Sequence, residues 1–297
     1  MDVVIIFDFD KTIIECDSDE WVVENFGLTQ LFSALLPTVP NNSLMVSFLS
    51  SSDLSSITMY MILLKQDRMM EELHLQGKTA QDITDCLRKI PLSLNIISAI
   101  HSAYASGCDL RIVSDANMFF VEAVLRHHGI LHCFSEINTN SAVVNEDGRL
   151  QILPYHEYRS SSHGCNLCPP NLCKGLVIEG IRASSTEKRF IYVGDGKNDY
   201  CPTLKLTPKD CVMPRKNFEL WNSISTNPKL IKANVQEWKN GEELEIALTN
   251  LIRTNCENYK DSQKNRFFED FLVSDCKSQT SPIAPPGSIE KAVQVPH

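Results

Sequence analysis

What this sequence lacks removes several classes of protein. No apolar run approaches the roughly 20 residues that a spanning helix requires, so no membrane partner is expected. Basic residues are outnumbered, 28 Lys and Arg against 37 Asp and Glu for a formal net charge of −9. They are also scattered, whereas a nucleic-acid partner would need a gathered basic face. Met1-Asp2 leads straight into Val3-Val4-Ile5-Ile6-Phe7, too short for the apolar stretch of a secretory signal and without a basic flank. A cytoplasmic setting is the expectation. Cysteine runs the other way, with 11 in 297 residues. Without a secretory signal these are expected as reduced thiols, not as a disulfide framework.

The hydrophobic fraction, 43%, is enough for one sizeable core plus a smaller accessory domain. Val3–Phe7, Leu110–Val113 and Phe190–Val193 are short apolar runs that suit strands buried on both faces. Phe134–Ile137 reads as another strand. Ser141–Val144 and Arg149–Leu153 flank Asn145-Glu146-Asp147-Gly148, a hairpin turn signal. Helices are expected over Ser18–Leu36, Asp67–Gln76, Thr79–Lys89, Asn95–Ser106, Asn117–His128 and Leu172–Ile181. Strands alternating with helices predict an α/β fold, a Rossmann-like parallel sheet, with a helical block inserted after the first strand. The expected division is a core over 1–14 and 92–253, a helical cap over 15–91 and a partly disordered tail over 254–297.

In open α/β sheets, chemistry gathers beyond the carboxyl ends of the strands. Each apolar run here ends in a polar cluster: Asp8-Phe9-Asp10-Lys11-Thr12, then Ser114-Asp115-Ala116-Asn117, then Gly194-Asp195-Gly196-Lys197-Asn198-Asp199. Lys174 stands at a helix start between the last two. Singly these are weak signals, because paired aspartates also occur in ordinary turns and a lone Lys is usually a solvated charge. Their order, spacing and strand contexts agree, and motifs gain weight from such context.

Asp8-x-Asp10-x-Thr12, Ser114, Lys174 and Gly194-Asp195-Gly196-x-x-Asp199 resemble the four motifs of the haloacid dehalogenase superfamily. More narrowly, Phe7–Ile13, Ile112–Phe120, Cys168–Gly175, Tyr192–Gly196, Asp199–Pro202 and Met213–Arg215 resemble the phosphoethanolamine/phosphocholine phosphatase family. Its plant branch includes pyrophosphatases and thiamine-phosphate-phosphatase-like proteins. The resemblance implies a Mg²⁺-dependent phosphomonoesterase acting on a small phosphorylated substrate. A cation must bridge an anionic nucleophile and a phosphate ester, and Mg²⁺ needs only two or three protein oxygens. Asp8 and Asp195, with the Asp10 backbone carbonyl, would supply them. Asp8 would attack phosphorus, and Asp10 would serve as general acid and then base. Ser114 and Lys174 would hold the transferring oxygens. Asp199 would orient the metal's waters or Lys174.

By the same resemblance, Asp19 and Asp115 occupy substrate-binding positions, and Glu15 and Asp17 add acids to the first loop. Carboxylates near the leaving group suit a cationic headgroup such as choline, ethanolamine or thiazolium and suit pyrophosphate less well, so phosphocholine and phosphoethanolamine rank first, with pyrophosphate or thiamine monophosphate as the alternative. Every residue type the reaction needs is present, which argues against an inactive interaction protein on the same fold.

Two features fall outside the motifs. His163-x-Cys165-x-x-Cys168-x-x-x-x-Cys173 has zinc-like spacing, and Cys201 is a further thiol that folding can bring near. A second ligand pair is missing, so the expected state is a loop of free thiols leading into the Lys174 helix. Val46–Gln66 interrupts the family pattern between Met45 and Asp67 with Ser-rich and apolar pieces that lack helical period. It reads as a surface-loop expansion or a translated, retained intron, since valine codons begin GT and a glutamine codon can end AG.

Overall fold

The computed structural model describes residues 2–30, 66–156, 163–168, 171–185 and 187–254. By contacts the chain divides into Met1–Ile252 and Arg253–His297, and the architecture that follows is that of the first unit. Apart from Thr254, the expected disordered tail lies outside the described residues, as does Val46–Gln66 apart from Gln66 itself.

Seven strands form one sheet in the order β4-β3-β2-β1-β5-β6-β7. They are β1 (Val3–Phe7), β2 (Asp109–Asn117), β3 (Phe134–Val144), β4 (Leu150–Leu153), β5 (Arg189–Gly194), β6 (Cys211–Pro214) and β7 (Asn234–Val235). All neighbours pair in parallel except the β3–β4 hairpin. This is the expected Rossmann-like α/β sheet. β1 lies at its centre because all its side chains are apolar and buried, the composition a strand covered on both faces requires. It pairs with β2 on one side, Phe7 opposite Ile112, and with β5 on the other, Phe7 opposite Val193. The ends of these three strands therefore meet at one edge of the sheet.

Two readings of the sequence need correction. The helix expected over Ser18–Leu36 breaks after Asn25, where Gly27 adopts a left-handed φ of 71°; helix resumes at residues 29–30, and the rest of the range lies outside the described residues. The strands expected at Phe134–Ile137 and Ser141–Val144 are one strand. Their link, Asn138-Thr139-Asn140, is polar but buried, which made it look like a loop. The Asn140 amide there donates to the carbonyls of Asp115 and Ala116 at 2.7 and 2.9 Å, and Tyr155 donates its hydroxyl to Asn138 Oδ1 at 2.7 Å. These bonds satisfy the Asn140 amide and Asn138 Oδ1, while Asn138 Nδ2 and Thr139 Oγ1 stay buried with no partner among the described residues.

Helices of the block between β1 and β2 cover Ser18–Asn25, residues 66–75, Ala80–Leu87 and Leu94–Ala105. The first is capped by Asp17, which accepts from the backbone N–H of Asp19 and Glu20 at 3.1 Å each. Thr79 and Asp82 form a reciprocal capping box on the third. Met118–His127 follows β2, Lys174–Ala183 precedes β5, and Glu219–Thr226 follows β6. Among the described residues, no helix is long and apolar enough to cross a membrane.

Candidate active site

β1, β2 and β5 deliver their polar ends to the same sheet edge, and the start of the Lys174–Ala183 helix arrives beside them. Lys174 is 1% exposed, and its Nζ stands 2.8 Å from both Asp8 Oδ2 and Asp199 Oδ1. Burial alone works to discharge an ammonium. Asp199, Asp8 and Asp115 outweigh it and hold the Lys174 pKa well above its ordinary value, so the cation is fixed.

Asp199 is saturated. Its Oδ1 accepts from Lys174 and from the Tyr192 hydroxyl at 2.6 Å, and its Oδ2 accepts from the backbone N–H of Asp195 and Gly196 at 3.0 and 2.9 Å. Four donors on one carboxylate leave it as the organiser of Lys174 and the Gly194–Asp199 turn, not as a free ligand. The turn needs glycine for this contact, because a Cβ at Gly194 would lie 2.5 Å from Asp199 Oδ2.

Asp195 receives one side-chain bond, from Thr12 Oγ1 at 3.0 Å. Burial, and after it the Asp199 charge, push its pKa up to about 7. Burial, then Asp199, also drive Asp8 upward against the opposing pull of Lys174. Oxygens of Asp8, Asp195 and Asp199 all lie within 4.8 Å of one another and are buried. Three buried carboxylates share one buried ammonium, which is a surplus of negative charge that a low-dielectric site does not tolerate alone. A divalent cation liganded by oxygens of Asp8 and Asp195 would relieve it, Asp199 being already engaged by its four donors. Ligand oxygens about 2.1 Å from Mg²⁺ lie at most about 4.2 Å apart.

Asp10 points back toward the helix block, where its Oδ1 accepts the Ser18 N–H at 2.9 Å. Burial first, then Asp17 and Asp19, raise it well above the ordinary carboxylate range, so it holds a proton more readily than a surface acid. Ser114 is buried two residues beyond Ile112, and its hydroxyl accepts the Ala116 N–H at 3.3 Å. Asp115 is tied to the last motif by the Asn198 amide, 2.6 Å from its Oδ2, and burial raises its pKa. Its Oδ1 is buried with no hydrogen-bond partner among the described residues. Asp19 accepts the side-chain amide of Gln66, whose own side chain is buried.

Sequence reasoning missed several supporting groups. Tyr192 was visible as a lone hydroxyl within an apolar strand. Gln66 carried no signal, since its partner lies 47 positions away. Arg215 was noted only as part of a motif. Its guanidinium donates to the Lys11 carbonyl at 2.6 Å and to Glu15, and it stacks over Phe218 and Trp238 at 4.6 and 5.1 Å. Lys11 has a left-handed φ of 54°, a conformation that costs a non-glycine residue about 1–2 kcal/mol. Arg215 holds that strained turn closed between Asp8 and Thr12.

A family profile described as Putative Phosphatase matches residues 3–252. The chain is 51% identical over 254 residues to inorganic pyrophosphatase 2 of Arabidopsis thaliana, covering 84% of each chain. It is 51% identical over 256 residues to a thiamine phosphate phosphatase-like protein of the same plant, covering 85% of this chain and 96% of that one. A haloacid dehalogenase family hydrolase from Salmonella enterica serovar Typhi shares the fold, with a TM-score of 0.53 at 14% identity over 83% of this chain and 71% of the other.

Proposed function

The chain belongs to the Putative Phosphatase family of the haloacid dehalogenase superfamily and is a phosphoric monoester hydrolase; on that premise we propose a Mg²⁺-dependent, covalent mechanism on small cationic phosphomonoesters. The observation that carries the mechanism is Lys174, held 2.8 Å from both Asp8 and Asp199 where β1 and β5 end.

Asp8 and Asp195, with the Asp10 carbonyl, would hold Mg²⁺, which offsets the surplus charge of the site and of the bound phosphate. Asp8 attacks phosphorus and the bond to the leaving oxygen breaks, leaving an acyl phosphate on Asp8. Asp10, its proton retained by burial among acids, protonates the departing alkoxide. It then accepts a proton from the water that releases phosphate. Lys174 and the Ser114 hydroxyl steady the transferring oxygens, and the amino end of the Lys174–Ala183 helix adds its dipole. Asp199 keeps Lys174 aimed. The helical block over 15–91 would close over the substrate as a cap.

The acids around the leaving group favour a positively charged alcohol. Asp10 is raised by burial first and then by the charges of Asp17 and Asp19, and Asp115 by burial first with Asp199 and Asp17 adding to it. A choline, ethanolamine or thiazolium headgroup relieves the repulsion among these acids, whereas a second phosphate adds to it. The pyrophosphatase reading draws on a 51% identical relative of that name. Lys11 is the cation placed to receive a second phosphate, but its Nζ is 3.7 Å from Asp17 and already shared.

A panel of phosphocholine, phosphoethanolamine, thiamine monophosphate and pyrophosphate, assayed with Mg²⁺, tests this. The highest kcat/KM should fall on a cationic monoester. Pyrophosphate exceeding all three by tenfold or more would overturn the substrate reading and leave the phosphatase chemistry intact.

A further inference from the structure

The sequence shows a cysteine trio with no partner pair, and the fold supplies what was missing. Cys165, Cys168, Cys173 and Cys201 converge so that all four sulfurs lie within 4.8 Å of one another. Three of them are buried and Cys165 is half-buried. Cys201 Sγ is 3.6 Å from Cys165 Sγ and 4.0 Å from Cys173 Sγ. Four sulfurs about 2.3 Å from a zinc ion, tetrahedral to one another, stand about 3.8 Å apart. The two measured separations bracket that value, and both are far beyond the roughly 2.05 Å of a disulfide.

The surroundings fit a bound ion better than loose thiols. Gly175 is the second residue of its helix, and a Cβ there would lie 2.5 Å from Cys201 Sγ. Glycine thus clears the approach of this one sulfur. Cys173 is the N-cap of the same helix, at its positive end. Helix N-termini favour the thiolate that zinc requires. Lys205 also lies close enough to interact with the Cys165 and Cys201 sulfurs, offsetting part of the charge of four thiolates on one divalent ion.

We propose that Cys165, Cys168, Cys173 and Cys201 bind one structural zinc ion as a closed four-thiolate site. Each ligand gives up its proton on binding. Four protein ligands leave no open position for substrate, so the role is to staple. The ion would join Cys165, Cys168 and the start of the Lys174–Ala183 helix to the helical turn Tyr200–Thr203. Cys173 directly precedes Lys174, and Cys201 follows Asp199 by two residues. The staple therefore anchors the two segments that carry the ion pair of the active site.

The full chain should be expressed with added zinc, purified without chelator and subjected to elemental analysis. About one zinc per chain is expected, unchanged by Mg²⁺. Cobalt exchanged into the site should give the intense visible absorption of tetrahedral cobalt thiolates. Cys165→Ser, chosen because its side chain is half-buried, should weaken zinc binding at least tenfold in competition with a chromophoric chelator, with the fold checked by circular dichroism. Cys211→Ser, which removes a buried thiol outside the cluster, should leave zinc content unchanged and controls for general loosening. Zinc below one ion per ten chains, iron in its place, a disulfide within the cluster by mass spectrometry, or full zinc retention in Cys165→Ser would each overturn the proposal. These readouts do not involve turnover, so failure here is separable from failure of the phosphatase mechanism.

Discussion

Two clusters meet at the start of the Lys174–Ala183 helix and handle charge in different ways. In the carboxylate cluster the fold itself supplies one cation, Lys174, placed 2.8 Å from two of its acids, and leaves a remainder of negative charge. In the thiol cluster there is no charge to offset until the sulfurs lose their protons, so nothing in the fold compels a cation. A divalent ion would relieve the repulsion of the carboxylate cluster, where burial and then the Asp199 charge push Asp195 up to about 7. The thiol cluster carries no such strain when protonated, and its spacing, its helix N-terminus and the clearance at Gly175 point to the ion instead. Buried charge therefore announces a metal through energetics, and buried sulfur announces one through geometry.

The sharpest way to break this comparison is to remove the nucleophile while keeping the cluster's shape. Asp8→Asn should lower turnover by on the order of 10⁴-fold or more, as losses of covalent nucleophiles do elsewhere. Asp10→Asn should cost about 10²–10⁴-fold, most for substrates whose leaving groups need protonation. Steady-state rates on an aryl phosphate and on an alkyl phosphate separate the two. Near-normal activity in Asp8→Asn would sink the covalent mechanism.

Removing the fold's own cation comes next. Lys174→Met leaves Asp8 and Asp199 buried without their cation and should destabilise the chain by about 3–5 kcal/mol, as broken buried ion pairs do. Denaturant melts measure this. An unchanged midpoint would mean that water or rearrangement already satisfies those acids.

These effects were foreseeable to different degrees. The gathering of Asp8, Lys174, Asp195 and Asp199 at one sheet edge was legible because apolar runs mark strand ends well. The sheet was legible for the same reason. Asn138-Thr139-Asn140 misled because polarity reads as a loop until β2 offers carbonyls to satisfy it. The break at Gly27 was readable in principle, but the apolar residues on both sides of it outweighed one glycine. Cys201 and Gln66 join their clusters only through tertiary contacts, 28 positions from Cys173 and 47 from Asp19. No local pattern encodes such a distance.

Proton linkage sharpens the account further. Asp195 sits at about 7 in the fold against an ordinary value of 3.8. Between those values the metal-free folded chain holds a proton that the unfolded chain has lost, so its stability falls as pH rises through that window. Mg²⁺ needs the carboxylate, so the stabilisation it confers should grow over the same window. Thermal melts at several pH values, with and without Mg²⁺, read both trends. Asp195→Asn should flatten them, and a Mg²⁺ increment independent of pH would contradict the assignment.

The smallest expected effect concerns the helix block. Gln66→Ala frees Asp19 from its amide partner, so KM for a cationic monoester should change several-fold with kcat little altered, since ground-state contacts act on KM. A large loss of kcat would instead place Gln66 in the chemistry.

The covalent step is the central claim, and one trapping experiment addresses it directly. The enzyme should be mixed with excess phosphomonoester and Mg²⁺, quenched in acid during turnover, reduced with borohydride and digested. Reduction converts an acyl phosphate on aspartate to homoserine, which marks the nucleophile. The account predicts homoserine at position 8 and nowhere else, absent when substrate is withheld. Reduction at another carboxylate, or none during active turnover, would contradict it.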